Sequence, residues 1–144
     1  MKHYCSFCDT NTIEHQEIAV MGTVRILYPR RPVIPASVLL APVRCIEGVH
    51  ELSEKEMLDV FSAVKKLNSI FKKLYTTTGY NLFVNTGESA GQHIPHVHFH
   101  VYGRSENETI SPFDILNDAG KHHNRDRVAE SDYRQRIENI RNSL

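Results

Sequence analysis

The chain has 144 residues, 40% of them hydrophobic and 24% charged, with 17 Lys+Arg balanced by 17 Asp+Glu. That length suits one domain, expected to span residues 1–144, and the composition excludes disordered and fibrous classes. Zero net charge gives no basic footprint for nucleic acid, no apolar run of about 18 residues could span a membrane, and Met1–Cys5 lacks the apolar core of a signal peptide, so a cytoplasmic protein is expected.

In chain order, residues 17–28 suggest two short strands or one strand bent at Gly22. Pro29, Pro32 and Pro35 then mark a stiff connection. Ser37 to Pro42 encloses Val38, Leu39, Leu40 and Ala41 and predicts a buried strand. Ser53 and Glu56 form a capping box, with Leu52 placed to pack on Met57. Met57, Val60, Phe61, Val64, Leu67, Phe71 and Leu74 then predict one apolar face of a helix from Ser53 to Tyr75. Lys65, Lys66, Lys72 and Lys73 form its wet face. Tyr80 to Asn85 predicts a strand, Gly87 to Gln92 a loop and His96 to Tyr102 a further strand. A polar stretch follows, and Tyr133, Ile137 and Ile140 predict a short C-terminal helix. Several strands around one long helix indicate an α+β domain with an antiparallel sheet.

Nine histidines are present, and three alternate in His96-Val97-His98-Phe99-His100. Alternate strand residues share a face, so the imidazoles project together while Val97, Phe99 and Val101 enter the core. Three readings fit this spacing: chance alternation, metal ligation, or a nucleophile with flanking donors. The three cysteines are Cys5, Cys8 and Cys45. Cys5-Ser6-Phe7-Cys8 has the spacing of half a zinc site, and two free thiols are the plain alternative.

His96-Val97-His98-Phe99-His100-Val101-Tyr102 resembles the signature of the histidine triad (HIT) family of nucleotide hydrolases and transferases. Asn85-Thr86-Gly87-Glu88-Ser89-Ala90-Gly91-Gln92 is similar to the family's loop before the triad, and Pro35 to Pro42 to its central strand. The likeness covers residues 4–104, leaving 105–144 as a C-terminal extension. It implies a HIT-like fold, an antiparallel five-stranded sheet with one long helix and a short C-terminal one. It also implies a nucleotidyl hydrolase or transferase acting on a phosphoramidate or dinucleoside polyphosphate through a covalent nucleotidyl-histidine on His98.

By the same resemblance, His96 and His100 assist His98, and Gln92 bonds a phosphate or leaving-group oxygen. Asn85 and His93 touch substrate, and the Gly87–Gly91 loop offers backbone N–H groups. Zinc-binding relatives imply a structural zinc on Cys5, Cys8, Cys45 and His96, and paired subunits in relatives imply a homodimer. A nucleotide sensor with little turnover and a metalloenzyme using the triad as ligands are the rival readings. Two positions depart from the pattern. Ser37 stands where relatives carry a fourth histidine, so Ser37→His is expected to raise activity or nucleotide affinity. Pro29 stands where they carry a side chain for the ribose hydroxyls. The basic cluster Lys121, His122, His123, Arg125 and Arg127 is expected to be a solvated loop.

Overall fold

The computed structural model describes residues 4–111, 114 and 127–144. Helix α1 (Thr10–Gln16) starts where the Asp9 carboxylate accepts from the Thr12 N–H (3.0 Å) and hydroxyl (3.1 Å). Strands β1 (Glu17–Met21) and β2 (Val24–Leu27) form a hairpin turned at Gly22, whose φ is +58°. A side chain there would meet left-handed strain and also strike Asp59, since an added Cβ would lie 2.5 Å from Oδ2. Strand β3 (Ser37–Pro42) is followed by α2 (Glu54–Tyr75), β4 (Gly79–Val84), β5 (Phe99–Arg104) and α3 (Glu130–Arg141).

The five strands make one antiparallel sheet in the order β1-β2-β3-β5-β4. Helix α2 covers it through Val60, Ala63, Val64, Leu67, Ile70 and Phe71, which pack with Val24, Ile26, Val38, Leu40 and Val101. The capping box forms: Ser53 Oγ accepts from Glu56 N–H (3.1 Å), and Glu56 Oε2 accepts from Ser53 N–H (2.8 Å). Thr76 closes the helix in the left-handed region (φ 55°). Tyr133, Ile137 and Ile140 of α3 are buried in the same core.

Three expectations change. Met57 and Phe61, assigned to the core face of α2, are 42% and 57% exposed. They sit a quarter-turn off the axis through Val60, Val64 and Leu67, on the flank opposite Asp59. Leu52 is buried, while Met57, expected to pack on it, is exposed. Glu56 is buried instead, its carboxylate held by the Arg44 guanidinium at 3.0 and 2.8 Å. Strand β5 begins at Phe99 rather than His96, because pairing with β3 and β4 reaches only to Leu40 and Val84. The His122–His123 cluster lies outside the described residues, apart from Arg127.

Candidate functional site

Before β5 the chain bends through Ile94, Pro95 and His96 and is unpaired with the sheet at Val97 and His98. Val97 N–H donates to the Ile46 carbonyl (2.8 Å), and Val97, Phe99 and Val101 are buried in the core. The alternation therefore holds across the strand boundary. His98 and His100 line a cavity of about 510 Å³, while His96, 1% exposed, lies beside it.

His96 is held by both ring nitrogens. Nε2–H donates to the Pro42 carbonyl (2.7 Å), so Nδ1 carries the lone pair. That nitrogen faces Cys5 Sγ at 3.3 Å and Cys8 Sγ at 3.6 Å. With Cys45, the four ligand atoms lie within 4.8 Å of one another. Ligands in a tetrahedron with zinc–sulfur bonds of about 2.3 Å sit roughly 3.8 Å apart, so the set fits. Burial and the neighbouring thiols push Cys8 up to about 12, and burial raises Cys5 as well. Cys5 and Cys8 thus resist ionising unless a cation joins them.

His98 donates from Nδ1–H to the His96 carbonyl (2.8 Å), which leaves Nε2 as its unprotonated nitrogen. Burial pushes the pKa of His98 down, outweighing that carbonyl bond, so the neutral ring is favoured near pH 7. Phe7, in the turn between Cys5 and Cys8, meets His98 edge-on with centroids 5.2 Å apart and His96 at 5.9 Å. His100 stacks on Phe83 at 4.4 Å and 7°. The cysteine turn therefore also builds a wall against the triad, a contact the spacing Cys-x₂-Cys does not announce.

Asn85, Gly91 and His93 line the same cavity, as does Pro29. Gln92 is engaged elsewhere. Its Oε1 accepts from Gly87 N–H (2.7 Å), and its Nε2 donates to the Glu47 (2.9 Å) and Ile94 (3.0 Å) carbonyls. It ties the loop to its surroundings, and the cavity wall passes from Gly91 to His93. Several loop amides are also committed: Ala90 and Gln92 N–H donate to the Gly87 carbonyl (both 3.1 Å), and Gly91 N–H to the Glu88 carbonyl (3.0 Å). Of the Gly87–Gly91 amides expected to face phosphate, those of Gly87, Ala90 and Gly91 are thus used within the loop. Ser37 is 0% exposed, and its Oγ donates to the Ile34 carbonyl (2.7 Å). It is a packed residue under the sheet face rather than a cavity residue.

Residues 11–107 match the model of the HIT domain. The chain is 32% identical over 85 residues to an asymmetrical bis(5'-nucleosyl)-tetraphosphatase of Schizosaccharomyces pombe, covering 56% of this chain and 47% of that relative. It thus spans about half the length of that curated relative. A hypothetical histidine triad nucleotide-binding protein from Sulfolobus tokodaii superposes with TM-score 0.75 at 22% identity, over 96% of this chain and 91% of that one. A zinc-bound histidine triad family protein from Mycobacterium smegmatis does so with TM-score 0.70 at 17% identity, over 94% and 92%.

Proposed function

This chain belongs to the HIT domain family, and on that premise we propose that it is a nucleotidyl hydrolase whose nucleophile is His98. The observation that carries the reading is the bond from His98 Nδ1–H to the His96 carbonyl. It fixes the tautomer with a lone pair on Nε2, the form needed to attack phosphorus. Nε2 forms a bond to the α-phosphorus of a nucleoside phosphate conjugate as the bond to the leaving group breaks, the electron pair going with that group. Water then attacks the same phosphorus, releases Nε2 and yields the nucleoside monophosphate. His100, held flat on Phe83, faces the cavity to assist charge on the phosphoryl oxygens. His96 positions His98 through its carbonyl. Asn85 and His93 line the cavity and would touch substrate, whereas Gln92 would act by holding the adjoining loop. The tetraphosphatase named above supports a polyphosphate substrate.

Zinc is the metal we assign to Cys5, Cys8, Cys45 and His96, where it would supply a cation that fixes the amino-terminal turn and the His96 ring. Four protein ligands leave no open position, so its role is structural. The reading of all three histidines as ligands of one metal has no such support. His96 turns its lone pair to the cysteines, and His98 Nδ1 is spent on a carbonyl. A homodimer is proposed on the β4 edge, which among the described residues pairs with β5 alone, and on the exposed apolar Met57, Leu58, Phe61 and Tyr80. No helix among the described residues is long and apolar enough to cross a membrane.

The test of the catalytic reading is His98→Ala with a diadenosine polyphosphate, together with mass spectrometry of wild type quenched during turnover. Loss of activity by several orders of magnitude and a nucleotidyl adduct on His98 are expected. A variant retaining more than about a tenth of the rate would sink the mechanism.

A further inference from the structure

The four metal-ligand positions come from three segments, and each segment also builds part of the cavity beside His98. Cys5 and Cys8 frame a turn, and Tyr4, Ser6 and Phe7 around it line the cavity. His96 lends its carbonyl to His98 Nδ1–H. Cys45 begins a strap, residues 45–49, that runs against both the triad segment and the loop before it. The Ile46 carbonyl accepts from Val97 N–H (2.8 Å), between His96 and His98. The Glu47 carbonyl accepts from Gln92 Nε2 (2.9 Å), and Val49 N–H donates to Thr86 Oγ1 (3.2 Å).

The strap is the fixed end of this arrangement. Glu51 Oε2 accepts from Gly48 N–H (2.8 Å), and the Arg44 guanidinium ties the Glu51 carbonyl (2.9 Å) to Glu56 of α2. The turn is held differently. It meets the rest of the chain through Phe7, packed with Leu27 and Ala41, and through Cys5 and Cys8 at His96 Nδ1. The main core joins α2, α3 and the sheet, and among the described residues no cysteine belongs to it. Cys8 and Cys45 are exposed, so the ligand set lies at the rim of the fold. Emptying it therefore releases a rim segment before it disturbs the core.

We propose that nucleotide binding at the cavity is switched by occupancy of the Cys5, Cys8, Cys45 and His96 set, with Phe7 as the positioning residue that carries the effect. On this proposal, which rests on the hydrolase and zinc readings above, zinc is a condition for holding a nucleotide as well as a source of stability. With the set filled, Cys5 and Cys8 pin the turn to the strap at Cys45, and Phe7 stands edge-on to His98 and His96. With the set emptied, Cys5 and Cys8 lose that link and Phe7 leaves the wall. The cavity then opens on that side while the sheet and α2 stay folded. A cavity assembled for only a fraction of the time binds more weakly by that fraction. Coupling of this kind is reciprocal, so a bound nucleotide tightens zinc by the same factor.

The experiment titrates adenosine monophosphate calorimetrically into zinc-loaded, chelator-stripped and zinc-reloaded protein, with zinc content measured by elemental analysis. Hydrogen exchange is followed by mass spectrometry in the same three states, without nucleotide. Stripping should weaken affinity at least tenfold, and reloading should restore it. A loss of about tenfold corresponds to an assembled cavity populated about a tenth of the time. Exchange should rise over residues 4–9 and 93–98, while peptides from α2 and β1 to β3 keep their protection. Phe7→Ala, loaded to the same zinc content, should match stripped wild type in its weak affinity and in its raised exchange over residues 93–98. Equal affinity with and without zinc would overturn the proposal. So would lost protection in α2 and the sheet on stripping, because zinc would then hold the whole fold. Unchanged exchange over 93–98 in Phe7→Ala would mean that Phe7 only touches the ligand, and the positioning role falls. Protein that takes up no zinc would overturn the metal reading and the switch together. Should loaded protein bind no adenosine monophosphate while exchange still follows zinc, the coupling stands and the hydrolase reading falls.

Discussion

Ser37→His restores the residue that the family resemblance puts at this position, yet the structure predicts damage. Ser37 is fully buried in β3, opposite Tyr102 of β5, and its hydroxyl donates to the Ile34 carbonyl at 2.7 Å. Ile34 and Tyr102 pack together directly on this face with Val33 and Phe83. An imidazole adds four heavy atoms to a site with no exposure. Overpacking of that kind costs about 1–3 kcal/mol. Losing the hydroxyl bond adds a net 0.5–1.5 kcal/mol, so a total of roughly 2–4 kcal/mol is expected. The imidazole cannot recover this by hydrogen bonding the substrate, because Ser37 does not line the cavity. Urea unfolding of both proteins, with zinc content held equal, measures the cost directly. A variant with wild-type midpoint and raised turnover would refute the argument, since the ring must then have reached the cavity without displacing Ile34 or Tyr102.

Cys45→Ser should lower zinc content and stability together, measured by elemental analysis and thermal unfolding; full zinc occupancy would exclude Cys45 as an essential ligand. Gln92→Ala removes three hydrogen bonds and should cost about 1–3 kcal/mol while slowing turnover. If turnover falls but unfolding is unchanged, Gln92 meets the substrate rather than holding the loop. The Arg44 guanidinium holds Glu56 down at about 2, so its stabilisation is present above the ordinary carboxylate range and lost as pH falls toward 2. Wild type should therefore exceed Glu56→Gln in stability at pH 7, with the gap closing below about pH 4.5. A gap independent of pH would mean that the Glu56 charge does not matter.

Where local chemistry decided a feature, the sequence made it readable. The Ser53–Glu56 box marks the start of α2, and Tyr133, Ile137 and Ile140 mark the buried side of α3. The His-φ-His alternation survives the late start of β5 because Val97, its N–H held by the Ile46 carbonyl, enters the core ahead of the strand. Other features depended on which surfaces meet. Helix α1 is only seven residues and mostly polar, without an apolar period, so Asp9 was its one local signal. Met57 and Phe61 fit the helical period but fall where the sheet does not reach. The burial of Glu56 depends on Arg44, twelve residues earlier, and the place of Phe7 against His98 on a contact spanning most of the chain. Gln92 showed the right residue at the right spacing, while its three bonds to backbone could only come from the folded loop.

The place of β5 in the sheet bears on how this protein is made. It is last of the five strands in the chain yet lies between β3 and β4. While synthesis proceeds from the amino end, the earlier strands emerge first, and β3 and β4 cannot complete the sheet between them until Arg104 has followed. Until then each offers an open edge to other chains, including a neighbouring copy on the same message. The triad histidines arrive with that same strand segment. The cavity consequently has no partly folded precursor: a nascent or truncated chain exposes sheet edges before it can hold a nucleotide. Expression should therefore respond to chaperone supply and synthesis rate more than the stability of the finished domain suggests.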